Sequence, residues 1–118
     1  MTARKYGIEK RILDPLHVRR IRDGFSWIDR RFVRDGWIER LEADEFALYF
    51  FLVVVADKDG LSYYSDTRIT TKLRVDPESL LNARGRLIEL GLIAWEAPLY
   101  QVLDLPSSIA EGYWRATP

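Results

Sequence analysis

Three side chains between residues 79 and 86 have the right chemistry and spacing to read a polar surface: Ser79, Asn82 and Arg86. At 100° per residue they fall on one side of a helix. On that side Asn82 can pair bidentately with adenine, and Arg86 can reach guanine or a phosphate. Ser79 can bond either a base or a phosphate. A second group lies just upstream. Arg68, Thr71 and Lys72 are donors of the kind that contact phosphate oxygens. The alternative for each of the six is an ordinary solvated helix face. Glu78 and Glu89 share the side of Asn82 and Arg86 and would repel phosphates. Gly85, costly in a helix by about 1 kcal/mol against alanine, leaves room for close approach of another backbone; a simple weakness of the helix is the other reading.

Other chemistries are poorly served. The chain has no cysteine, which removes disulfides, thiolate zinc sites and cysteine nucleophiles. Its one histidine, His17, stands near Arg19 and Arg20 and reads as a solvated side chain. Asp57 and Asp59 sit in a DKDG turn that lacks the acidic ladder and closing Glu of a calcium loop. No Gly-rich phosphate loop occurs. Neither catalysis, a metal, a cofactor nor a small-molecule ligand is expected.

The elements that must position these residues follow from pattern. Asp76 is an N-cap with Pro77 at the first helical position, and the helix they start runs over 77–90 to Gly91. Its apolar side is expected to hold Leu80, Leu81, Ala83, Leu87 and Ile88. Arg84 interrupts that side. A structural role is expected for it: either its stem lies along the core and its head emerges, or it pairs with a buried acid, for which Glu45, Asp57 and Asp104 are the candidates. A helix over 66–73, capped by Ser65 or Asp66, precedes the turn Arg74-Val75-Asp76. Strands are expected at 61–64, 92–96 and 99–105, the last two joined through Ala97-Pro98.

Residues 43–57 form the strongest helix, with Asp44 and Glu45 in its first turn, where negative charge suits the helix dipole. Phe46, Tyr49, Phe50, Val53 and Val54 share a face, while Leu48, Phe51, Leu52 and Val55 make the rest apolar too. Such a helix must be covered on most sides. A homodimer seam is therefore expected. The apolar run Phe46–Ala56 is eleven residues, against about twenty for a membrane span, and no membrane partner is expected. Upstream, Trp27, Phe32 and Trp37 read as core aromatics, with a partner surface as the alternative, and Asp29 can cap a short helix ending at Gly36. Residues 3–23 read as an arm with one or two helical turns.

Net charge is zero over 118 residues, but it is unevenly spread. Residues 1–41 hold eleven Lys/Arg against six Asp/Glu, and residues 42–118 hold seven against twelve. A basic arm beside an acidic body suits an anionic partner, or neutralises its own domain. The N-terminus MTARKYGIEKR lacks the apolar segment of a secretory signal, and a cytoplasmic location is the default expectation.

The expected order is helix, strand, helix, turn, helix, strand, hairpin, strand. Residues 41–105 resemble a winged helix-turn-helix domain. ARGRLIELGLI (83–93) resembles the end of a recognition helix entering the first wing strand. FALYFFLVVVADKDG followed by YYSDTRITTKLRV resembles the first two helices in the N-terminal domains of DnaD-type primosomal proteins and plasmid replication initiators, a pattern many transcription regulators share. The wing turn is shorter than usual and the body is acidic. The resemblance implies a mainly α fold with a small β-sheet (α+β); with the arm and tail read from the residues, the chain is expected to divide into a basic arm at 1–23, a winged domain at 24–106 and a tail at 107–118. The resemblance also implies sequence-specific binding of double-stranded DNA, by a small transcription regulator or an accessory factor of replication or a mobile element. The helix 77–90 would lie in the major groove, with Ser79, Asn82 and Arg86 reading bases. The helix before it would cross the backbone with Arg68, Thr71 and Lys72. The alternative is a winged domain used for protein interaction or oligomerisation.

Overall fold

The computed structural model describes residues 4–5 and 8–106. The tail at 107–118, with Tyr113 and Trp114 as its expected anchors, lies outside the described residues. The fold is α+β. A two-residue hairpin, β1 (Arg4–Lys5) and β2 (Ile8–Glu9), leads to a 3-10 turn at Pro15–His17 and a short helix α1 (Arg31–Arg34). After a second 3-10 turn at Ile38–Arg40 come α2 (Ala43–Val55), β3 (Leu61–Tyr63), α3 (Asp66–Leu73), α4 (Pro77–Glu89), β4 (Ile93–Glu96) and β5 (Leu99–Val102). β3, β5 and β4 form one antiparallel sheet in that order, with Ser62 opposite Tyr100 and Trp95 opposite the same residue on the other side.

Local chemistry accounts for the breaks. Glu42 and Glu45 form a reciprocal capping box at the start of α2. At its other end the Ser26 hydroxyl donates to the Val54 carbonyl at 2.7 Å, satisfying an acceptor the helix leaves open. The Asp57 carboxylate then accepts from the Asp59 and Leu61 amides, turning the chain back into β3. Ser65 caps α3 and Asp76 caps α4 by accepting the amide three residues on. Between them Arg74 takes the left-handed conformation, φ 58°, so that its amide and that of Val75 both reach the Thr70 carbonyl. The bend between α3 and α4 thus uses a residue other than glycine in a region that ordinarily costs it about 1–2 kcal/mol.

The core lies between α2, α4 and the sheet. Leu48, Leu52, Ile69, Leu87, Leu92 and Tyr100 are among its buried members. Each large apolar side chain removed from water contributes roughly 1.5–3 kcal/mol. Phe32 and Trp37 also join this core, and Phe32 stacks on Tyr49 at 5.0 Å. Trp27 does not: it is 80% exposed. Its neighbour Ser26 ties the chain to the end of α2, which leaves the indole outside the packed layer. Asp29 is not the cap of the short helix before Gly36: Arg30 holds that position without a side-chain cap bond, and Asp29, one residue earlier, accepts from the Arg31 amide at 2.8 Å.

Several boundaries differ from the pattern-based reading. β5 stops at Val102, and Leu103 instead donates to the Leu92 carbonyl. α2 stops at Val55, because Ala56 is already extended. Around α2 the buried side is Leu48, Tyr49, Leu52 and Val53, whereas Phe50 and Val54 face outward. Among its described residues the arm has one 3-10 turn, and it is exposed from Glu9 to Gly24. It lies outside the packed body, and the radius of gyration, 16.9 Å, exceeds the ~13–14 Å of a compact domain of this length. Among the described residues no helix is long and apolar enough to cross a membrane.

Candidate nucleic-acid interface

Ile69 anchors α3 in the core, with Leu73 packed against its edge. That orientation turns Arg68, Thr71 and Lys72 outward together, at the i, i+3, i+4 spacing that makes them neighbours. All three are exposed, and neither Arg68 nor Lys72 forms an ion pair among the described residues. The Arg68 guanidinium lies 4.6 Å from the centre of the Tyr64 ring, which positions the cation without neutralising it. Sequence pattern alone does not name Tyr64 as its support; the four-residue spacing across the capped start of α3 is the only signal.

On α4 the buried side is Leu80, Ala83, Arg84, Leu87 and Leu90. The outward side carries Glu78, Leu81, Asn82, Gly85, Ile88 and Glu89. Asn82 is exposed. Ser79 and Arg86 are half-buried at the margin, and the Arg86 guanidinium stands 3.9 Å from the Glu89 carboxylate. No hydrogen bond or ion pair among the described residues joins this trio to Arg68, Thr71 and Lys72; the turn at Arg74–Asp76 is what connects the two sets.

Leu81 and Ile88 correct the expected apolar side, since they are 58% and 41% exposed. Arg84 explains the error. It forms the border of the core, and the two aliphatics lie beyond it, where no element of the described residues covers them. Arg84 itself is 3% exposed. Its Nη1 donates to Asp66 Oδ1 at 2.8 Å and to the Tyr100 hydroxyl at 2.9 Å, and its guanidinium carbon is 3.8 Å from the centre of the Trp95 ring. The partner acid is therefore Asp66, and not Glu45, Asp57 or Asp104. Burial alone would lower the Arg84 pKa, but the bonds to Asp66 and Tyr100 outweigh it and hold it above the usual value. Burial also raises the Tyr100 phenol, a rise that Arg84 partly opposes.

His17 is exposed and 2.8 Å from Asp14. Arg31 holds the Asp29 carboxyl below the usual carboxylate range by donating to it, and bridges to Asp104 at 3.4 Å. Among the described residues no group of three or more His, Cys, Asp or Glu side chains is placed to hold a metal ion. The β4–β5 turn, Ala97-Pro98, carries no cation. The Trp37 indole N–H and the Ser62 hydroxyl are buried without a hydrogen-bond partner among the described residues.

A comparison with protein families, with curated proteins and with solved structures finds no match for this chain.

Proposed function

We propose that the chain is a winged helix-turn-helix protein that binds double-stranded DNA through α3 and α4. The observation that carries this reading is the outward face of α3, where Arg68 and Lys72 stand exposed, adjacent and free of acidic partners among the described residues, with Thr71 between them. The connectivity supports it. α2, β3, α3, a three-residue turn, α4 and the β4–β5 hairpin follow the order of winged helix-turn-helix domains. In this reading α3 crosses the phosphate backbone, and α4 enters the major groove with Asn82 as its principal base reader, flanked by Ser79 and Arg86. The basic arm adds sequence-independent attraction. The cation-free turn between β4 and β5 leaves the wing without a charge-based phosphate contact. A cytoplasmic role in transcription regulation, or as an accessory to replication or a mobile element, fits such a protein.

A second reading draws on a specific observation. Leu81 and Ile88 are exposed on α4 together with Glu78 and Glu89, a face better suited to a protein than to phosphates. A fluorescence titration of a labelled random duplex separates the two. Binding at low salt that weakens steeply toward physiological salt supports the DNA reading. Absence of binding at low salt leaves the protein-interaction reading.

A further inference from the structure

The outward stripe of α2 carries no charge. It consists of Ala43, Ala47, Phe50 and Val54, at the i, i+4, i+7, i+11 spacing of one helix face. Phe50 and Val54 are each 52% exposed, Ala43 is exposed and Ala47 half-buried. The stripe is graded: its first half is small, its second half large.

We infer that this stripe is a two-fold interface with a second copy of the chain, the two α2 helices running antiparallel. A two-fold axis placed between Leu48 and Tyr49 sets Ala43 against the partner copy's valine and Ala47 against its phenylalanine. Small faces large at every step. Alanines let the axes approach toward the short end of the usual 8–10 Å, and the larger side chains fill the gap. A parallel pair would put Phe50 on its own copy and leave the alanine halves apart. An isologous contact needs a surface complementary to itself, and this grading supplies one.

Charge agrees with the antiparallel sense. Exposed Glu42 and Asp44 stand at the N-terminal end of α2. At the other end Ser26 ties the chain to the Val54 carbonyl; the segment leading into Ser26 and the turn after α2 together carry exposed Arg19, Arg20, Arg22 and Lys58 against Asp23, Asp57 and Asp59, a net positive charge of one. The antiparallel pairing brings the acidic end of each helix to the arm-bearing end of the other. This interface does not depend on DNA binding.

The absence of native cysteine makes a clean test. Ala43→Cys and Val54→Cys are prepared as separate full-length chains, mixed and oxidised. In the antiparallel pair residue 43 faces residue 54, whereas either residue lies about 16 Å along the axis from its own copy, beyond the ~7 Å limit for a disulfide. The expected result is a disulfide-linked species from the mixture and none from either variant alone. Sedimentation of the unmodified chain is expected to give about twice 13.8 kDa. Phe50→Glu is expected to return the mass to one copy with an unchanged helical circular dichroism spectrum. A single-copy mass for the unmodified chain, crosslinking within either cysteine variant alone, or a Phe50→Glu chain that keeps the doubled mass would each overturn the inference.

Discussion

Arg84 in the middle of α4 donates to Asp66, the first residue of α3, at 2.8 Å. The pair closes the angle between the two helices from within. Asp66 also stands at the N-terminus of α3, where a carboxylate favours the helix dipole. Trp95 of β4 covers the guanidinium at 3.8 Å, and the Tyr100 hydroxyl of β5 accepts its remaining inner bond. One side chain thereby ties α3, α4 and two strands together, without presenting itself at the outer surface.

Arg84→Ala is expected to lower stability by about 2–3 kcal/mol. The change leaves the Tyr100 hydroxyl without a partner and a void beneath Trp95. Asp66 is itself 57% exposed and regains water, which keeps the cost below that of a fully buried pair. Arg84→Lys is expected to recover only part of it, because an ammonium cannot serve Asp66 and stack on the indole together. Urea unfolding of the three proteins checks this; equal midpoints for Arg84→Ala and the parent would remove Arg84 from its structural role.

At Gly85 an added Cβ meets no atom within 4 Å. Gly85→Ala is therefore expected to raise stability by about 0.5–1 kcal/mol, seen as a higher melting temperature. If α4 lies against DNA, the same methyl group obstructs the approach beside Asn82 and weakens duplex binding. A rise in melting temperature with unchanged duplex affinity would take Gly85 out of the interface.

Much of this arrangement is legible in sequence because it rests on local rules. Ser65, Asp76 and Pro77 announce the starts of α3 and α4, and Gly91 the end of α4, within a few residues. Leu81 and Ile88 are misread because periodicity identifies an apolar side but not where neighbouring elements stop covering it. Arg84 is recognisable as structural, since it interrupts that side. Its partner is not, because the 18-residue separation from Asp66 is bridged only by the fold. Trp27 fails for a similar reason: size and hydrophobicity do not reveal that Ser26 fastens its segment at the end of α2. The outward direction of Arg68, Thr71 and Lys72 follows from burying Ile69, and so can be derived from sequence; what they touch cannot.

Gly60 holds φ +85°, and an added Cβ would come within 2.5 Å of the Val102 carbonyl oxygen. That oxygen belongs to backbone paired with Gly60, since the Val102 amide donates to the Gly60 carbonyl at 2.8 Å. Gly60→Ala is expected to cost about 2–4 kcal/mol through strain and a displaced strand. Thermal unfolding measures it, and a destabilisation below about 0.5 kcal/mol, the range of ordinary surface changes, would show that β3 and β5 adjust freely there.

Burial raises the Tyr49 phenol to about 12, with the nearby Asp29 charge adding to the effect. The folded chain therefore keeps a proton between pH 10 and 12 that the unfolded chain releases. Stability from this group is fully present below pH 10 and falls as pH rises through that window, by ~2–3 kcal/mol in all. Tyr49→Phe is expected to flatten that part of the pH–stability curve. An unchanged slope in Tyr49→Phe would assign the alkaline destabilisation to other groups.

The most direct measurement of the central claim is the salt dependence of duplex binding by the parent chain and by the double variant Arg68→Ala, Lys72→Ala. The parent is expected to bind random duplex at low salt, with log K falling linearly against log salt concentration. The double variant is expected to bind more weakly, with a slope shallower by about 2, one for each phosphate that the absent cations no longer neutralise. Absence of parent binding at low salt, or the same slope in both proteins, would contradict the placement of α3 on the DNA backbone.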